Sequence, residues 1–307
     1  MEYTGIAQSK VMQKLLAKVA KIAKVPRPIL IRGERGTGKE LMANYLHRAS
    51  SRADEKFVTI NCAAFTEKLI ASEMFGHEKG AFTGANEQRI GRMEQANKGS
   101  LFMDEVGIMP MNFQEQILRA VEYQTFERVG SSKPIKVDVR LISATNANLE
   151  ELMEEKLFRR DLYDRLTFAE IELPSLRQRK DDIPALIVHF VKLLHEEMPS
   201  LQERKFRSST VEVLMDYYWP GNIRELKNIV ERLYLFGDTP YIEEQELPAI
   251  ISGADYIGLS FDDRVENFKR KLILKAYEDC GGNQSEAARQ LQMTYSQFRH
   301  FYQKYCP

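Results

Sequence analysis

A glycine-rich turn between a strand and a helix limits the possible folds of this chain more than any other segment. The apolar run Pro28–Ile31 precedes Gly-Glu-Arg-Gly-Thr-Gly-Lys-Glu at 33–40, and a helical run at 41–48 follows. In this order, backbone N–H groups and the start of the helix cradle phosphates while the lysine reaches the β and γ oxygens. The sequence predicts a P-loop, against the alternative of a glycine turn that fits by chance. Its predicted nucleotide-binding residues are Gly33, Glu34, Arg35, Gly36, Thr37, Gly38, Lys39 and Glu40.

Short β-rich runs, separated by segments long enough for helices, occur along the first half of the chain. They are Pro28–Ile31, Phe57–Asn61, Ser100–Met103, Arg140–Ala144 and Phe168–Leu173. This alternation indicates an α/β domain in which helices cover both faces of a mostly parallel sheet and the ligand binds at the carboxyl ends of the strands. We predict that this domain spans residues 1–174.

The second half of the chain lacks this strand signal. Apolar residues recur at helical spacing from about residue 176, which predicts an all-helical domain at 175–252. A glycine-containing stretch without periodicity follows, and we interpret 253–262 as a linker. Residues 263–307 contain a helix that ends near Gly281 and two shorter helical segments, and we predict that they form a third domain.

Composition excludes several classes of protein. The 307 residues include 44 basic and 44 acidic ones, so the formal charge is zero and charge alone names no partner. The cysteines, Cys62, Cys280 and Cys306, are odd in number and lack C-x-x-C spacing, which argues against a disulfide framework or a zinc site and favours a reducing cytoplasm. No apolar run approaches the roughly 18 residues of a membrane helix, so we expect no membrane span.

The strand run at 100–103 leads into two carboxylates, Asp104 and Glu105. An apolar strand that ends in paired acids is typical of a Walker B segment, in which Asp104 holds Mg²⁺ through water and Glu105 polarises the attacking water. Alone it could equally begin a solvated loop, but together with the P-loop it predicts ATP and Mg²⁺ as ligands. Glu40 stands where a magnesium-binding Ser or Thr usually follows the lysine, so metal binding falls to Thr37, waters or a distant acid.

Two further groups of polar residues follow this segment. Thr145 and Asn146 end the fourth strand run, where they can place a polar side chain near the γ-phosphate or, equally well, cap a helix. Arg159 and Arg165 flank an acidic, apolar stretch and can neutralise charge on the nucleotide of a neighbouring subunit. Composition alone favours surface salt bridges for both arginines.

The hexapeptide Gly-Ala-Phe-Thr-Gly-Ala at 80–85, preceded by Glu-Met-Phe-Gly-His-Glu at 73–78, resembles the signature of one family. Its small residues favour a mobile loop tip around Phe82 and Thr83, unless Phe82 packs into its own core. With the P-loop and the acid pair, the chain resembles the bacterial enhancer-binding proteins that activate sigma-54 RNA polymerase, whose motor is an AAA+ ATPase. The resemblance implies sigma-54 contacts for Gly80, Ala81, Phe82, Thr83, Gly84 and Ala85.

The same resemblance implies roles for residues around the nucleotide. Asn61 would be a switch that holds Glu105 away from water until ATP is sensed. The helical domain would be a lid, with Trp-Pro-Gly-Asn-Ile-Arg-Glu-Leu at 219–226 as its sensor segment. Glu40 fits, because the family's loop also reads GTGKE. Thr145 and Asn146 match the first sensor of the family, and Arg224 matches the second sensor. Arg159 and Arg165 match the arginine fingers.

The third domain resembles the Fis-like helix-turn-helix that ends these activators. Its first helix would be 285–291, and Thr294 would cap a recognition helix at 295–304. From Gly282 onward three basic residues oppose one acid, a net +2 that favours phosphate contacts, with a helical dimerisation bundle as the alternative. Gln292 stands where the turn usually has glycine. The predicted DNA-binding residues are Thr294, Tyr295, Ser296, Gln297, Arg299 and His300.

The resemblance implies a cytoplasmic transcriptional activator that binds enhancer DNA, forms a hexameric ring from an inactive dimer and uses ATP to open the closed complex of sigma-54 RNA polymerase. The ATPase begins within about 30 residues of Met1, so we expect no sensory domain before it and control by a trans-acting negative regulator, by expression level or by the DNA. Two rival functions are a non-activating DNA-binding regulator on the same scaffold and a remodelling ATPase of replication or proteolysis. Intact Phe82, Thr83 and Glu105 disfavour the first, and the hexapeptide and helix-turn-helix disfavour the second.

Overall fold

The computed structural model describes most of the chain: residues 5–237, 239–248, 251, 269–270, 273–274, 276–277, 280, 282–291 and 293–305. The chain forms two compact units. One contains the residues up to Phe206 together with 218–242, and the other contains 207–217 together with the chain from Glu243 onward. The predicted linker at 253–262 and Gln292 lie outside the described residues. The four-part division made from the sequence stays a prediction.

A parallel sheet of five strands, in the order β2-β5-β8-β1-β9, forms the centre of the first unit. Each of these strands overlaps one of the five predicted runs, which confirms the α/β class. The short pairs β3–β4 and β6–β7 are antiparallel and were not predicted, because two or three residues give no period. The strands are β1 Ile29–Arg32, β2 Phe57–Asn61, β3 Gly76–His77, β4 Arg89–Ile90, β5 Ser100–Asp104, β6 Thr125–Glu127, β7 Pro134–Lys136, β8 Arg140–Thr145, β9 Ala169–Glu172, β10 Lys205–Phe206 and β11 Tyr241–Ile242.

Helices connect the strands and cover the sheet. The described helices are α1 Lys10–Ala23, α2 Lys39–Arg48, α3 Glu67–Phe75, α4 Arg92–Gln95, α5 Met111–Tyr123, α6 Leu149–Glu154, α7 Arg160–Leu166, α8 Ile183–Glu197, α9 Ser208–Asp216, α10 Asn222–Leu235, α11 Gln284–Gln290 and α12 Tyr295–Tyr305.

Both faces of the sheet are buried. Successive residues of a strand point to opposite faces, so Leu30 and Met103 join one apolar cluster while Ile31 and Phe102 join another. Burial on both sides explains why the strands are continuous apolar runs rather than alternating ones. All five strands run in the same direction, so the residues that follow their carboxyl ends lie along one edge of the sheet.

The chain that follows β9 is mainly helical within the first unit. Helices α8 and α10 pack on each other, and Trp219 is fully buried just before α10. The sequence predicts an all-helical domain here, and the structure adds one parallel pair, β10 with β11. Each strand of that pair has two residues, too few to produce a signal in the sequence.

In the second unit, α11 and α12 begin within one residue of the two helices predicted for the helix-turn-helix. The described residues between 269 and 277 are also helical. A small apolar core is formed by Ile273, Ala276, Ala287, Ala288 and Phe298. Within the described part of the chain, no helix is both long and apolar enough to span a membrane.

Candidate functional site

The predicted P-loop connects β1 to α2 as expected. Gly36 and Gly38 have φ angles of +76° and +99°, in the left-handed region that glycine adopts without strain. The ammonium group of Lys39 is buried under the loop and donates hydrogen bonds to the carbonyl oxygens of Gly33 (3.0 Å) and Glu34 (3.3 Å). The loop is therefore closed around its own lysine.

Charged groups from two other segments, and Arg35 of the P-loop itself, act on this lysine. Burial lowers the pKa of Lys39, and the carboxylates of Glu105 and Asp104 oppose that effect. The guanidinium groups of Arg224 and Arg35 act in the same direction as burial. The structure thus brings the predicted acid pair and the predicted second sensor into electrostatic reach of the P-loop.

The two acids occupy the carboxyl end of β5. Asp104 is its last residue and pairs in register with Asn61 of β2. Glu105 has a φ of +56°, a left-handed conformation that costs a non-glycine residue on the order of 1 kcal/mol and that recurs at functional sites. Its backbone N–H donates to the Asp104 carboxylate at 3.0 Å. Burial, followed by the charges of both acids, raises the pKa of the neighbouring Cys62 thiol to about 12, so this thiol stays protonated.

Asn146, rather than Asn61, holds the carboxylate of Glu105. With its amide nitrogen facing Glu105, Asn146 donates to both carboxylate oxygens, at 3.1 Å to Oε1. Asn61 instead accepts a hydrogen bond from the backbone N–H of Ala63 at 2.8 Å. The structure therefore brings Asn146, one of the two predicted first-sensor residues, onto Glu105, and the sensor role of Asn146 and the switch role of Asn61 stay predictions.

A cleft of about 430 Å³ lies between the P-loop and the end of β8. Thr145 is fully buried at its wall, and its hydroxyl accepts a hydrogen bond from the backbone N–H of Ala147 at 3.0 Å, so it supports the turn that follows β8. The N-cap of α6 is Asn148, so neither Thr145 nor Asn146 is the cap of that helix. The cleft is lined by Arg32, Gly33, Glu34, Thr145, Asn146, Ala147, Asn148 and Glu150.

The oxygen groups near the P-loop fit a magnesium ion. Asp104 contributes a partly exposed carboxylate, and the Thr37 hydroxyl, buried in the loop, donates to the carbonyl oxygen of Glu34 at 2.8 Å. Carboxylate, hydroxyl and water oxygens are the ligands that Mg²⁺ prefers. Glu40 is exposed on the first turn of α2. The donor set is therefore suitable for the ion without the usual Ser or Thr.

Residues of the chain after β9 hold the P-loop in place, and this role was not predicted from the sequence. Asn222 is fully buried, and its Nδ2 donates to the Glu34 carboxylate and to the carbonyl oxygen of Arg35, both at 3.0 Å. Its Oδ1 accepts the backbone N–H of Leu176 at 2.8 Å. Asn222 belongs to the same sequence segment as Arg224, so its position was marked but its role was not.

The backbone of the same segment touches the loop directly. The N–H of Ile223 donates to the carbonyl oxygen of Gly36 at 3.0 Å, and a Cβ atom on Gly36 would lie only 2.3 Å from the carbonyl oxygen of Gly221. Arg177 donates to the Glu34 carboxylate at 2.9 Å, and this hydrogen bond is the main reason why the pKa of Glu34 is lowered. Glycine at position 36 is therefore required by packing as well as by its φ angle.

The two predicted arginine fingers lie on another element, at and within α7. Arg159 precedes α7, and its guanidinium pairs with Asp161 at 2.7 Å. Arg165 pairs with Glu122 of α5, also at 2.7 Å. Both side chains are at least one-third exposed, and neither lines the cleft beside the P-loop. The salt bridges expected from composition alone are present, and action on a neighbouring subunit stays a prediction.

The hexapeptide at 80–85 forms a tight loop between β3 and β4. The N–H of Gly80 donates to the carbonyl oxygen of Ala85 at 2.8 Å, which closes the loop, and Ala85 is buried. Phe82 is 39 % exposed, with its ring edge-on to the imidazole of His77 at a centroid distance of 5.0 Å. Ala81 and Thr83 also keep substantial exposure. Phe82 is therefore partly exposed: it contacts His77 but does not belong to the buried core.

The predicted DNA-binding residues are all exposed and lie in the first turns of α12 or just before it. Thr294 and Gln297 cap the helix reciprocally: the Gln297 N–H donates to the Thr294 hydroxyl at 3.3 Å, and the Gln297 side-chain oxygen accepts the Thr294 N–H at 3.0 Å. All six predicted residues, Thr294, Tyr295, Ser296, Gln297, Arg299 and His300, are exposed, whereas Phe298 between them is buried. This pattern is that of a helix whose outer face is available to a partner.

Three family models match consecutive parts of the chain. Residues 6–172 match the sigma-54 interaction domain, residues 177–256 the AAA+ ATPase lid domain, and residues 264–300 the bacterial regulatory protein Fis family. The first of these covers more than half of the chain. The matches agree with the fold and with the order of motifs along the sequence.

Curated proteins of this type are similar over nearly the whole chain. The transcriptional regulatory protein ZraR of Salmonella typhimurium is 45 % identical over 296 residues, which are 95 % of this chain and 67 % of ZraR. The Psp operon transcriptional activator of Escherichia coli is 41 % identical over 307 residues, covering 95 % of this chain and 94 % of that protein. Among solved structures, NtrX from Brucella abortus in complex with ADP has a TM-score of 0.77 at 35 % identity, covering all of this chain and 70 % of NtrX.

Proposed function

Because this chain belongs to the family of sigma-54-dependent transcriptional activators, we propose that it binds enhancer DNA, assembles into a hexameric ring and couples ATP hydrolysis to opening of the sigma-54 RNA polymerase closed complex. One observation carries the proposal: a single compact unit contains both the P-loop with its acid pair and the partly exposed Phe82 loop. The P-loop alone would suit any ATPase. The loop at 80–85 is the part of the unit that would contact sigma-54 and transmit the conformational change driven by hydrolysis.

The residues of the site divide the chemistry of hydrolysis among them. Glu105 accepts a proton from the attacking water, and Asn146 orients its carboxylate. Lys39 leaves the carbonyl oxygens of its own loop for the β and γ oxygens of ATP. Asp104 and Thr37 would hold a magnesium ion, whose positive charge would offset the negative charge of the phosphates. Arg224 approaches the nucleotide from the lid.

The remaining family roles complete the proposal. Asn61 exchanges its contact with Ala63 for one with Glu105 in part of the cycle, and Arg159 and Arg165 act on the nucleotide of the adjacent subunit. Their present ion pairs are exposed, and such pairs contribute only about 0–1 kcal/mol, so exchange is inexpensive. In this scheme the inactive form is a dimer, the hexamer is the active form, and Phe82 and Thr83 contact sigma-54.

The second unit supports a DNA-binding role in the cytoplasm. The exposed face of α12 includes Arg299 and His300, which can reach phosphates or base edges in the major groove. We propose that a trans-acting negative regulator, the expression level or the DNA itself controls the activator. The similarity to the Psp operon transcriptional activator and to ZraR supports transcriptional regulation as the setting.

The test of this function is a single isosteric change, Glu105→Gln. The variant keeps the size of the side chain and the P-loop, so ATP binding should stay near wild type. Turnover should fall by roughly 10²–10⁴-fold, the usual contribution of a general base, and open-complex formation on a sigma-54 promoter should be lost. Glu154→Gln, an exposed carboxamide substitution on α6, is the matched control and should change neither rate.

The same assays separate the rival functions. A DNA-binding regulator without activation would bind duplex DNA but give no open complex with the wild-type chain. An ATPase that remodels replication or proteolysis substrates would hydrolyse ATP without any effect on the sigma-54 promoter. Hydrolysis by Glu105→Gln at the wild-type rate would refute the assignment of the acid pair.

A further inference from the structure

The N-terminal helix carries an unusual concentration of positive charge. Residues 5–33 contain seven basic residues, five lysines and two arginines, and no aspartate or glutamate. Six of the seven lie between Lys10 and Arg27, and the seventh is Arg32. Because the whole chain has a formal charge of zero, this stretch of +7 is balanced by −7 over the rest of the sequence. The charge is therefore segregated, although the composition as a whole conceals it.

The lysines lie on one face of α1. At about 100° per residue, Lys10, Lys14, Lys18, Lys21 and Lys24 fall within an arc of about 120°, and they extend for about 21 Å along the helix axis. All five are exposed, as is Arg27 just beyond the helix. We call these six residues the basic stripe: Lys10, Lys14, Lys18, Lys21, Lys24 and Arg27.

The basic stripe has no internal counterion. None of its six side chains forms an ion pair with a carboxylate anywhere in the part of the chain that the structure describes. Glu172 lines the same cleft as Lys14 and Lys18 but is paired with neither. Like charges at a spacing of four residues destabilise a helix by a few tenths of a kcal/mol per pair, so the stripe is kept at a cost to folding.

The opposite face of α1 is fixed to the body of the first unit. Met12, Val19 and Ala23 are fully buried, and the N-cap residue Ser9 binds the buried carboxylate of Asp182 through its backbone N–H at 2.6 Å. The helix therefore uses most of its apolar surface in packing on the body, although Val11 stays 47 % exposed. The exposed face of α1 is mainly basic, and the helix that carries it is packed on the first unit.

We propose that the basic stripe is a second DNA-contacting surface, which binds the phosphate backbone of duplex DNA without sequence selectivity. Lysine ammonium groups suit single phosphates, and those at (i, i+4) lie about 6 Å apart, comparable to the separation of successive phosphates along a strand. The inference rests on the proposed function, because a helix-turn-helix that holds DNA raises the local concentration of duplex around the other unit. The stripe then adds affinity and the recognition helix adds selectivity.

The test replaces Lys14, Lys18 and Lys21 by glutamine in the full chain. Glutamine has nearly the helix propensity of lysine, so α1 should be preserved. Binding to a fluorescent duplex of arbitrary sequence is measured by anisotropy at several salt concentrations. Each phosphate contact contributes about 0.9 to the slope of log K against log salt, so the slope should fall by about 0.9–2.7, and affinity at about 0.1 M salt by about 8- to 500-fold.

Two further variants control for charge and for the proposed function. The change of Lys133, Lys136 and Lys156 to glutamine removes the same charge from exposed positions elsewhere in the first unit and should leave the slope unchanged. Arg299→Gln tests the recognition helix separately. If only Arg299→Gln weakens binding, the stripe proposal is overturned and the proposed role of the recognition helix stands. If only the stripe variant weakens binding, the stripe proposal stands and the proposed role of the recognition helix is overturned.

The remaining alternative is an anionic lipid surface. Vesicles of phosphatidylserine and phosphatidylcholine are offered to the wild-type chain and to the stripe variant in a sedimentation assay. Lysine-dependent binding to vesicles, with an unchanged salt slope on DNA, would overturn the proposal and transfer the stripe to membranes. Loss of DNA affinity in the stripe variant without vesicle binding by the wild type supports it.

Discussion

Replacement of the buried Asn222 by alanine tests how strongly the segment that begins α10 holds the P-loop. The substitution removes both donations from Nδ2, to the Glu34 carboxylate and to the carbonyl oxygen of Arg35, and leaves the N–H of Leu176 without its acceptor. It also places alanine at a φ of +53°, which asparagine tolerates better. Four separate losses therefore act on one position.

Their magnitude follows from the burial of each group. An unsatisfied buried N–H such as that of Leu176 costs about 1–3 kcal/mol, and each of the two lost donations about 1 kcal/mol. The left-handed conformation adds roughly 1 kcal/mol for alanine. Water can reach Glu34 and the terms share neighbours, so the sum is smaller than its parts. We expect Asn222→Ala to lower the free energy of unfolding by about 2–4 kcal/mol, and Asn222→Gly to recover about 1 kcal/mol of it.

The fluorescence of Trp219 allows unfolding to be measured close to Asn222. Trp219 is the only tryptophan of the chain, is fully buried, and lies three residues before Asn222. Urea unfolding followed by its fluorescence reports the first unit. The control is Asn283→Ala, which removes an exposed cap of α11 in the second unit and should leave the Trp219 transition unchanged. A shift below about 1 kcal/mol for Asn222→Ala would refute the argument, because a single unsatisfied buried N–H already exceeds it.

Three other predictions concern the loop, the subunit boundary and pH. Phe82→Ala should abolish open-complex formation while it lowers stability by well under the roughly 3–5 kcal/mol of a core phenylalanine, because the ring is 39 % exposed; a melt and an ATPase assay check this. A mixture of Arg165→Ala and Lys39→Ala chains should regain part of the ATPase activity if sites are shared between subunits, and recovery at no ratio would refute sharing. Burial lowers the pKa of His47 below its ordinary value of 6.5, so the unfolded chain binds more protons than the folded one at low pH. The free energy of unfolding should therefore fall as the pH drops below about 6.5. Urea titrations at several pH values should show a weaker dependence of stability on pH for His47→Gln than for the wild type.

The parts of the site that the sequence could predict are those that lie on one strand or turn. The P-loop, the acids after β5 and the polar pair after β8 each follow an apolar run, and parallel strands bring their carboxyl ends to one edge. The parallel direction of the strands is therefore enough to predict that these three segments lie close together. The exposed face of α12 was likewise predictable, because Phe298 alone interrupts a polar run.

Contacts between distant segments could not be predicted in this way. Asn222 lies 188 residues from Glu34, and Arg177 lies 143 residues from it, so no local period connects them. Asn146 and Asn61 are both asparagines at strand ends, and only the tertiary placement of their side chains decides which of them reaches Glu105. The residue type is the same at both positions, so the sequence alone could not rank the two amides.

These contacts have a common consequence for the proposed cycle. Lys39 donates to its own loop, Glu105 is held by Asn146, and Arg165 pairs with Glu122, so these three charged groups of the proposed chemistry each have a partner within the chain. ATP must therefore replace existing hydrogen bonds rather than fill unsatisfied ones, and the net gain from each exchange is small. In the proposed ring, small individual gains would make the site responsive to the neighbouring subunit, since a second set of contacts across the subunit boundary would decide the balance.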